Sequence, residues 1–287
     1  MTDVEEPIRP DLVVDVPVTV GKLVRRVLCG NPSMMTGPGT NTYLVGIDEV
    51  AVIDPGPDDA DHLDAVAAAG SGRIRWILCT HTHPDHSPGA ARLKALTGAE
   101  VLAFSDQDGL VCDRHLADGD TVEGTEFTLE AIHTPGHASN HLCFLLQLDR
   151  MLFTGDHVMD GSTVVISPPD GDMGQYLESL ERLAAWRPRI RSIAPAHGHM
   201  IEDPAAKFDE YLTHRRARES QIRDALVDLG PPGGDTAELV AAIYTDVPEF
   251  LWPVARFSVW SHLRKLADDG DAAAVDADDP DSIWTPV

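Results

Sequence analysis

The chain has 287 residues, with 22 Lys and Arg against 47 Asp and Glu, so its formal charge is −25. An apolar share of 43% with 23 Gly and 21 Pro reads as a globular chain of one large and one smaller domain, and excludes the collagenous and wholly disordered classes. The negative charge disfavours broad electrostatic capture of nucleic acid or anionic membrane and leaves open what a local site does.

In chain order, Val13 to about Val52 carries short β-rich runs broken by Gly, Pro and Asn, with a turn-rich stretch from Asn31 to Asn41; this predicts a hairpin-rich sheet. Then β-rich and helical segments alternate: a strand at Val50 to Ile53, a helix over Asp59 to Ala69, a strand at Ile74 to Cys79 and a helix from Ser87 to Leu96. Further strands are expected at Glu100 to Phe104, Glu126 to Ile132, Leu142 to Leu148, Met151 to Phe153 and Ile190 to Ala194, with a helix over Met173 to Trp186. Interleaved strands and helices predict a layered α/β fold. The Gly/Pro-rich segment from Asp156 to Met173 reads as a long loop. Past Pro204 come three helical stretches, Ala205 to Leu229, Thr236 to Tyr244 and Leu251 to Ala267, and a tail with seven Asp between Asp268 and Asp281. These predict a small C-terminal domain with a β wing, and hence domains at 1–201 and 202–287.

Four widely spaced cysteines, Cys29, Cys79, Cys112 and Cys143, read as buried free thiols rather than a disulfide frame. Apolar runs such as Leu142 to Leu146 fall far short of the ~18 residues of a membrane span. Asp3, Glu5 and Glu6 stand where a signal peptide carries Lys or Arg, so a cytoplasmic protein with no membrane partner is expected. The oligomeric state is not legible.

The string Thr80-His81-Thr82-His83-Pro84-Asp85-His86 lies directly after the strand Ile74 to Cys79, where open α/β sheets keep their sites. Alternate residues of an extended segment share a face, so His81 and His83 reach one ion together, and the turn into the next helix aims Asp85 and His86 at a second. A polar loop with Asp85 as a helix cap would not call for three histidines. His137 in HTPGH, Asp156 in FTGD and His197 in PAHGH each follow a β-rich segment.

This order, HxHxDH and then His, Asp and His, resembles the metallo-β-lactamase superfamily of metal-dependent hydrolases over about Val13 to Ile201. The resemblance implies an αββα sandwich in which His81, His83 and His137 hold one metal ion, Asp85, His86 and His197 hold the second, and Asp156 bridges both. Longer strings, NPSMMTGPGTNTYLVG, AVIDPGP, FTGDHVM, PPDGDM and HRRARESQI, are similar to the lactamase-beta-2-like branch, which carries a winged-helix-like C-terminal domain. Imidazole and carboxylate ligands without thiolate suit two Zn²⁺, and the same set is compatible with Mn²⁺ or Fe²⁺. Two ions bring +4; Asp85, Asp156 and a bridging hydroxide take away 3, leaving about +1 inside an acidic chain. The expected reaction is hydrolysis by metal-bound hydroxide, with Asp85 as the catalytic residue that orients it and relays its proton.

Three functions compete. Branch resemblance suggests a single-stranded RNA endoribonuclease, against which the charge of −25 weighs. A small thioester or lactam substrate, in a glyoxalase-II-like or β-lactamase-like hydrolase, needs no basic groove. A non-enzymatic DNA-binding regulator would leave the ligand set superfluous. The resemblance implies that Asp54 in AVIDPGP is a hydrogen-bond partner of a ligand, the alternative being a plain turn Asp. His141, His157 and His199 read equally as site or loop histidines, and Asn41 as a substrate contact or a turn residue. The run His214-Arg215-Arg216-Ala217-Arg218, with Arg223, is either an anion patch or a helix surface paired with Glu210, Glu219 and Asp224.

Overall fold

Short β-rich runs separated by turns fold residues 18–53 into four antiparallel strands: β1 (Val18–Thr19), β2 (Val24–Leu28), β3 (Asn41–Val45) and β4 (Val50–Ile53). The computed structural model describes residues 12–161, 163–186, 189–245 and 247–287; Asp3, Glu5 and Glu6 lie outside the described residues. Two helical crossovers, α1 (Ala60–Gly70) and α2 (Gly89–Thr97), then return the chain to parallel strands β5 (Ile74–Leu78), β6 (Glu100–Ala103) and β7 (Arg114–His115). The helix α1 starts where the Asp59 carboxylate accepts from the Asp61 and His62 amides and ends at Ser71 in a left-handed conformation.

Strands β8 (Thr121–Glu123), β9 (Thr128–His133), β10 (Leu142–Leu146), β11 (Met151–Gly155) and β12 (Ser192–Pro195) make a second sheet in the order β12-β11-β10-β9-β8, antiparallel except for the β11–β12 pair. The two sheets face each other across one core that includes Tyr43, Ile53, Leu78, Phe127, Phe144 and Phe153. The other face of the first sheet packs against α1 and α2 through Leu44, Val52, Leu63, Val66, Ile77 and Leu93. Strands buried on both faces read as continuous apolar runs, as β4 and β10 do, whereas β3 is buried throughout with Asn41 and Thr42 satisfied by hydrogen bonds.

The sequence did not announce β7 and β8, whose two and three residues are too few to show alternation. Cys29, Cys79 and Cys143 are buried free thiols as expected, but Cys112 is only half-buried, on the connection between β6 and β7.

These elements belong to the first of two compact units, comprising the described residues of 12–133, 140–161 and 189–204. The second comprises 134–139, 163–186 and the described residues from 205 to 287. It contains α3 (Met173–Ala185), α4 (Pro204–Leu229, from its second residue), α5 (Thr236–Ile243), α6 (Trp252–Asp268) and an antiparallel ribbon of β13 (Ala272–Ala274) and β14 (Trp284–Pro286). A capping box of Asp235 and Glu238 opens α5. Ile222, Leu226, Leu239, Trp260, Leu263 and Trp284 form the core of this unit. The acidic segment expected as a tail is therefore the wing: Trp284 is fully buried, and Asp271, Asp278 and Asp281 pair with Arg223, Arg264 and Arg256. Among the described residues no helix is long and apolar enough to cross a membrane.

Candidate metal centre

Asp54 follows β4, the 80–86 segment follows β5, Asp156 follows β11 and His197 follows β12. Each pair of strands is parallel, so their carboxyl ends deliver these residues to one place. Asp54 stands at φ 51°, a left-handed conformation that Asp tolerates better than most residues. Gly155 stands at φ 48°, and a Cβ there would sit 2.6 Å from the Thr80 hydroxyl and 2.7 Å from His141 Nε2. Only glycine lets β11 pass so close to the histidine segment.

Buried hydrogen bonds fix the ring nitrogens. The Asp54 carboxylate accepts from the Thr80 amide at 2.7 Å, the Thr80 hydroxyl at 2.8 Å and His86 Nδ1 at 3.0 Å. A carboxylate only accepts, so His86 carries its proton on Nδ1 and turns the lone pair of Nε2 inward. His197 Nδ1 likewise donates to the Gly39 carbonyl at 3.1 Å. The Thr80 hydroxyl, its proton committed to Asp54, accepts from His81 Nδ1 at 3.0 Å, and His81 Nε2 points at His83 Nδ1, 3.0 Å away.

What the inward nitrogens meet decides the chemistry. His86 Nε2 lies 3.4 Å from Asp85 Oδ2 and 3.5 Å from Asp156 Oδ1; His197 Nε2 lies 3.3 Å and 3.2 Å from the same two atoms. Both nitrogens are buried and make no hydrogen bond. With Nδ1 already the donor on each ring, lone pair faces lone pair, an arrangement that is stable only with positive charge between them. Without an ion, protons supply that charge. Burial opposes ionisation of His197, yet Asp156 outweighs it and raises the imidazole to about 9. Burial also opposes the charged His86, and Asp85, Asp156 and Asp54 together hold it well above the ordinary histidine value. The two carboxylates resist their own burial through the same partners: His86 drives Asp85 below the usual range, and His197 and then His86 do so for Asp156.

One ligand atom each of His81, His86 and Asp156 lie within 4.8 Å of one another, as do those of Asp85, His86 and His197. Six of the seven sequence-predicted ligands are thus gathered in the first unit, with His83 joined through His81. Asp85 is no helix cap, because α2 begins after Pro88 without a side-chain cap. His137 belongs to the second unit, where its Nδ1 donates to the Val165 carbonyl at 2.8 Å and leaves the lone pair on Nε2. The donor set is imidazole and carboxylate with no thiolate, which fits zinc and also manganese or iron(II).

Other residues settle into supporting places. Asp54 is, as expected, the hydrogen-bond partner of a candidate ligand, His86. His141 Nε2 accepts from the Asp156 amide at 3.2 Å and so fixes the backbone beneath that carboxylate. Asn41 Nδ2 donates to the Pro195 and Gly198 carbonyls at 3.0 and 2.9 Å, tying down the loop that carries His197. His157 is buried beside His141, with ring centroids 6.0 Å apart, and the His199 amide donates to Asp160. Sequence reasoning missed the part of Thr80, a common residue with no signal of its own.

The arginine run resolves into internal contacts. Arg215 is buried, Arg216 pairs with Glu181 at 2.7 Å, Arg223 pairs with Asp271 at 2.8 Å and Glu219 at 3.6 Å, and Arg218 lies 4.0 Å over the Tyr244 ring. Of the partners expected, Glu219 meets Arg223, while Glu210 pairs with Lys207.

The family pattern described as Metallo-beta-lactamase superfamily matches residues 35–197, and that of the Beta-lactamase associated winged helix domain matches 236–284. A Drosophila melanogaster protein named Beta-lactamase-like protein 2 homolog is 34% identical over 265 residues, covering 86% of this chain and 88% of its own. An Aspergillus chevalieri protein named Atrochrysone carboxyl ACP thioesterase is 35% identical over 235 residues, covering 79% of this chain and 74% of its own. Among solved structures, a beta-lactamase domain protein from Burkholderia ambifaria shares the fold at a TM-score of 0.79 and 19% identity, over 96% of this chain and 94% of that one.

Proposed function

The chain belongs to the metallo-beta-lactamase superfamily of hydrolases, and on that premise we propose that it is a binuclear zinc enzyme that hydrolyses a small acyl thioester. The facing of His86 Nε2 and His197 Nε2 onto Asp85 and Asp156 supports the metal reading, because that arrangement calls for positive charge, which a metal ion supplies in place of the protons. In this reading His81, His83 and His137 would hold one ion, Asp85, His86 and His197 would hold the other, and Asp156 would be available to both. When bound, two such ions polarise a scissile carbonyl and lower the pKa of water from 15.7 towards about 7.

The chain's own residues do the rest. Asp54 and the Gly39 carbonyl keep the proton on Nδ1 of two imidazoles, so on binding only the Nε2 protons are displaced and neither ring has to turn. Asp85, with its side chain 26% exposed, is the carboxylate open to an attacking water; it orients that water and takes its proton.

Two observations favour a thioester over RNA. The arginines that would track a phosphate chain are committed to Glu181, Asp271, Tyr244 and the interior, in a chain of charge −25. A relative 35% identical is named as a thioesterase. The test is turnover by zinc-loaded protein on an acyl thioester, a single-stranded RNA oligomer and a chromogenic lactam. Thioester cleavage that disappears with a chelator is the expected result. Cleavage of RNA alone would overturn the substrate assignment and restore the nuclease reading.

A further inference from the structure

Several contacts that set His137 lie within the second unit. Gly136 precedes it at φ 134°, and a Cβ there would lie 2.3 Å from the Tyr176 amide nitrogen and Cα, so the turn is pressed onto the first turns of α3. The Gly136 carbonyl accepts from the Asp172 amide at 2.8 Å, at the start of the same helix. On its other side, the His137 ring is oriented by the Val165 carbonyl, 2.8 Å from Nδ1. Val165 lies in a segment with no helix or strand, so something else must hold its carbonyl in place.

Arg215 does this. It is 1% exposed on α4, between the exposed His214 and Arg216. Its guanidinium donates to the carbonyl of Val164, the residue before the one that orients His137. The same guanidinium lies 5.1 Å over the ring of Tyr176, whose backbone presses on Gly136. One buried cation thus touches both sides of the clamp around His137. Burying a guanidinium is costly, and a helix surface that needed only solubility would leave it in water.

We propose that Arg215 is a positioning residue for His137, so that α4 fixes the orientation of one metal ligand through consecutive carbonyls at Val164 and Val165. The inference rests on the reading of His137 as a ligand, and the controls separate the two. Groups that orient a ligating histidine typically change metal affinity by about 10- to 100-fold when removed.

The experiment titrates zinc into the full-length metal-free protein against a chromogenic chelator, with circular dichroism and melting recorded alongside. His137→Ala should weaken one of two ions; if it weakens neither, the ligand reading and this inference fall together. Arg215→Met should weaken the same ion about 10- to 100-fold and spare the other. Arg215→Lys should recover part of that loss, since an ammonium still donates to the Val164 carbonyl but does not reproduce the planar stack. Arg216→Met, which removes only an exposed pair, should bind like wild type. Both ions bound within twofold of wild type in folded Arg215 variants overturns the inference, as does an equal weakening of both ions together with a lowered melting point. Should Arg215→Met fail to fold, Arg215→Lys decides by the same criterion.

Discussion

Asp54→Asn separates a metal-ordering carboxylate from a merely structural one. The Asp54 carboxylate is 2% exposed and takes three hydrogen bonds, two from Thr80 and one from His86 Nδ1. Asparagine has the same shape and tolerates φ 51° as well as aspartate does, so backbone strain does not enter. Its Oδ1 keeps the Thr80 amide, but an NH₂ now stands where Oδ2 accepted from the Thr80 hydroxyl and His86. The hydroxyl can rotate and accept. The imidazole relieves donor against donor by moving its proton from Nδ1 to Nε2, which places an N–H where the metal needs a lone pair. Each lost bond to a charged acceptor is worth about 1.5–3 kcal/mol, part of which the new Asn hydrogen bonds return. The expected outcome is a fall of about 10- to 100-fold in affinity for the ion assigned to His86, or about 1.4–2.7 kcal/mol. Chelator competition reads the affinity, and nitrogen-15 imidazole spectra of the zinc-loaded protein read which His86 nitrogen carries the proton. A variant that keeps wild-type affinity for both ions, with His86 still protonated at Nδ1, would refute the reasoning.

Three further outcomes follow from particular residues. Asp85→Asn should lower kcat on the active substrate by at least ~10² while leaving circular dichroism unchanged; near-wild-type turnover removes Asp85 from proton transfer. Phe144 is fully buried between the sheets, so Phe144→Ala should cost about 3–5 kcal/mol in urea unfolding, and a loss below ~1 kcal/mol would contradict the shared core. Burial holds the His262 imidazole down to about 4, with Glu219 opposing that shift and Arg215 and Lys265 adding to it. The unfolded chain takes up this proton near 6.5, as an unperturbed histidine does. Its stabilising contribution is therefore complete above 6.5 and is lost as pH falls towards 4, a change on the order of 3 kcal/mol. Metal-free His262→Leu should lose less stability than wild type between pH 7 and 4.5, and parallel curves would refute the assignment.

Much of the site was legible because metal chemistry restricts residue types. Three histidines and an aspartate within six positions after an apolar strand seldom serve any purpose but metal binding, and His197 and Asp156 do stand beyond strands, as the sequence leads one to expect. Fold class followed from alternating strands and helices, since parallel strands require crossovers. What escaped reading depends on contacts far apart in sequence. Thr80 and Asn41 act through the carboxylate of Asp54 and the carbonyls of Pro195 and Gly198, and neither residue type signals such a partner. Nor does the run 214–218 reveal which arginine turns inward: helical geometry spreads its residues around the axis, and only the packing of Tyr176 and Val164 selects Arg215. A β wing is expected from the sequence, but its position is obscured by composition, because seven aspartates read as solvated tail while the Trp284 that anchors the ribbon is a single residue.

The most direct test of the binuclear reading is elemental analysis of zinc-reconstituted protein, run beside His83→Ala and His197→Ala. A binuclear centre predicts close to two ions per wild-type chain and close to one in each variant, with the two variants losing different ions. No more than one ion per wild-type chain, or two retained in both variants, would contradict it.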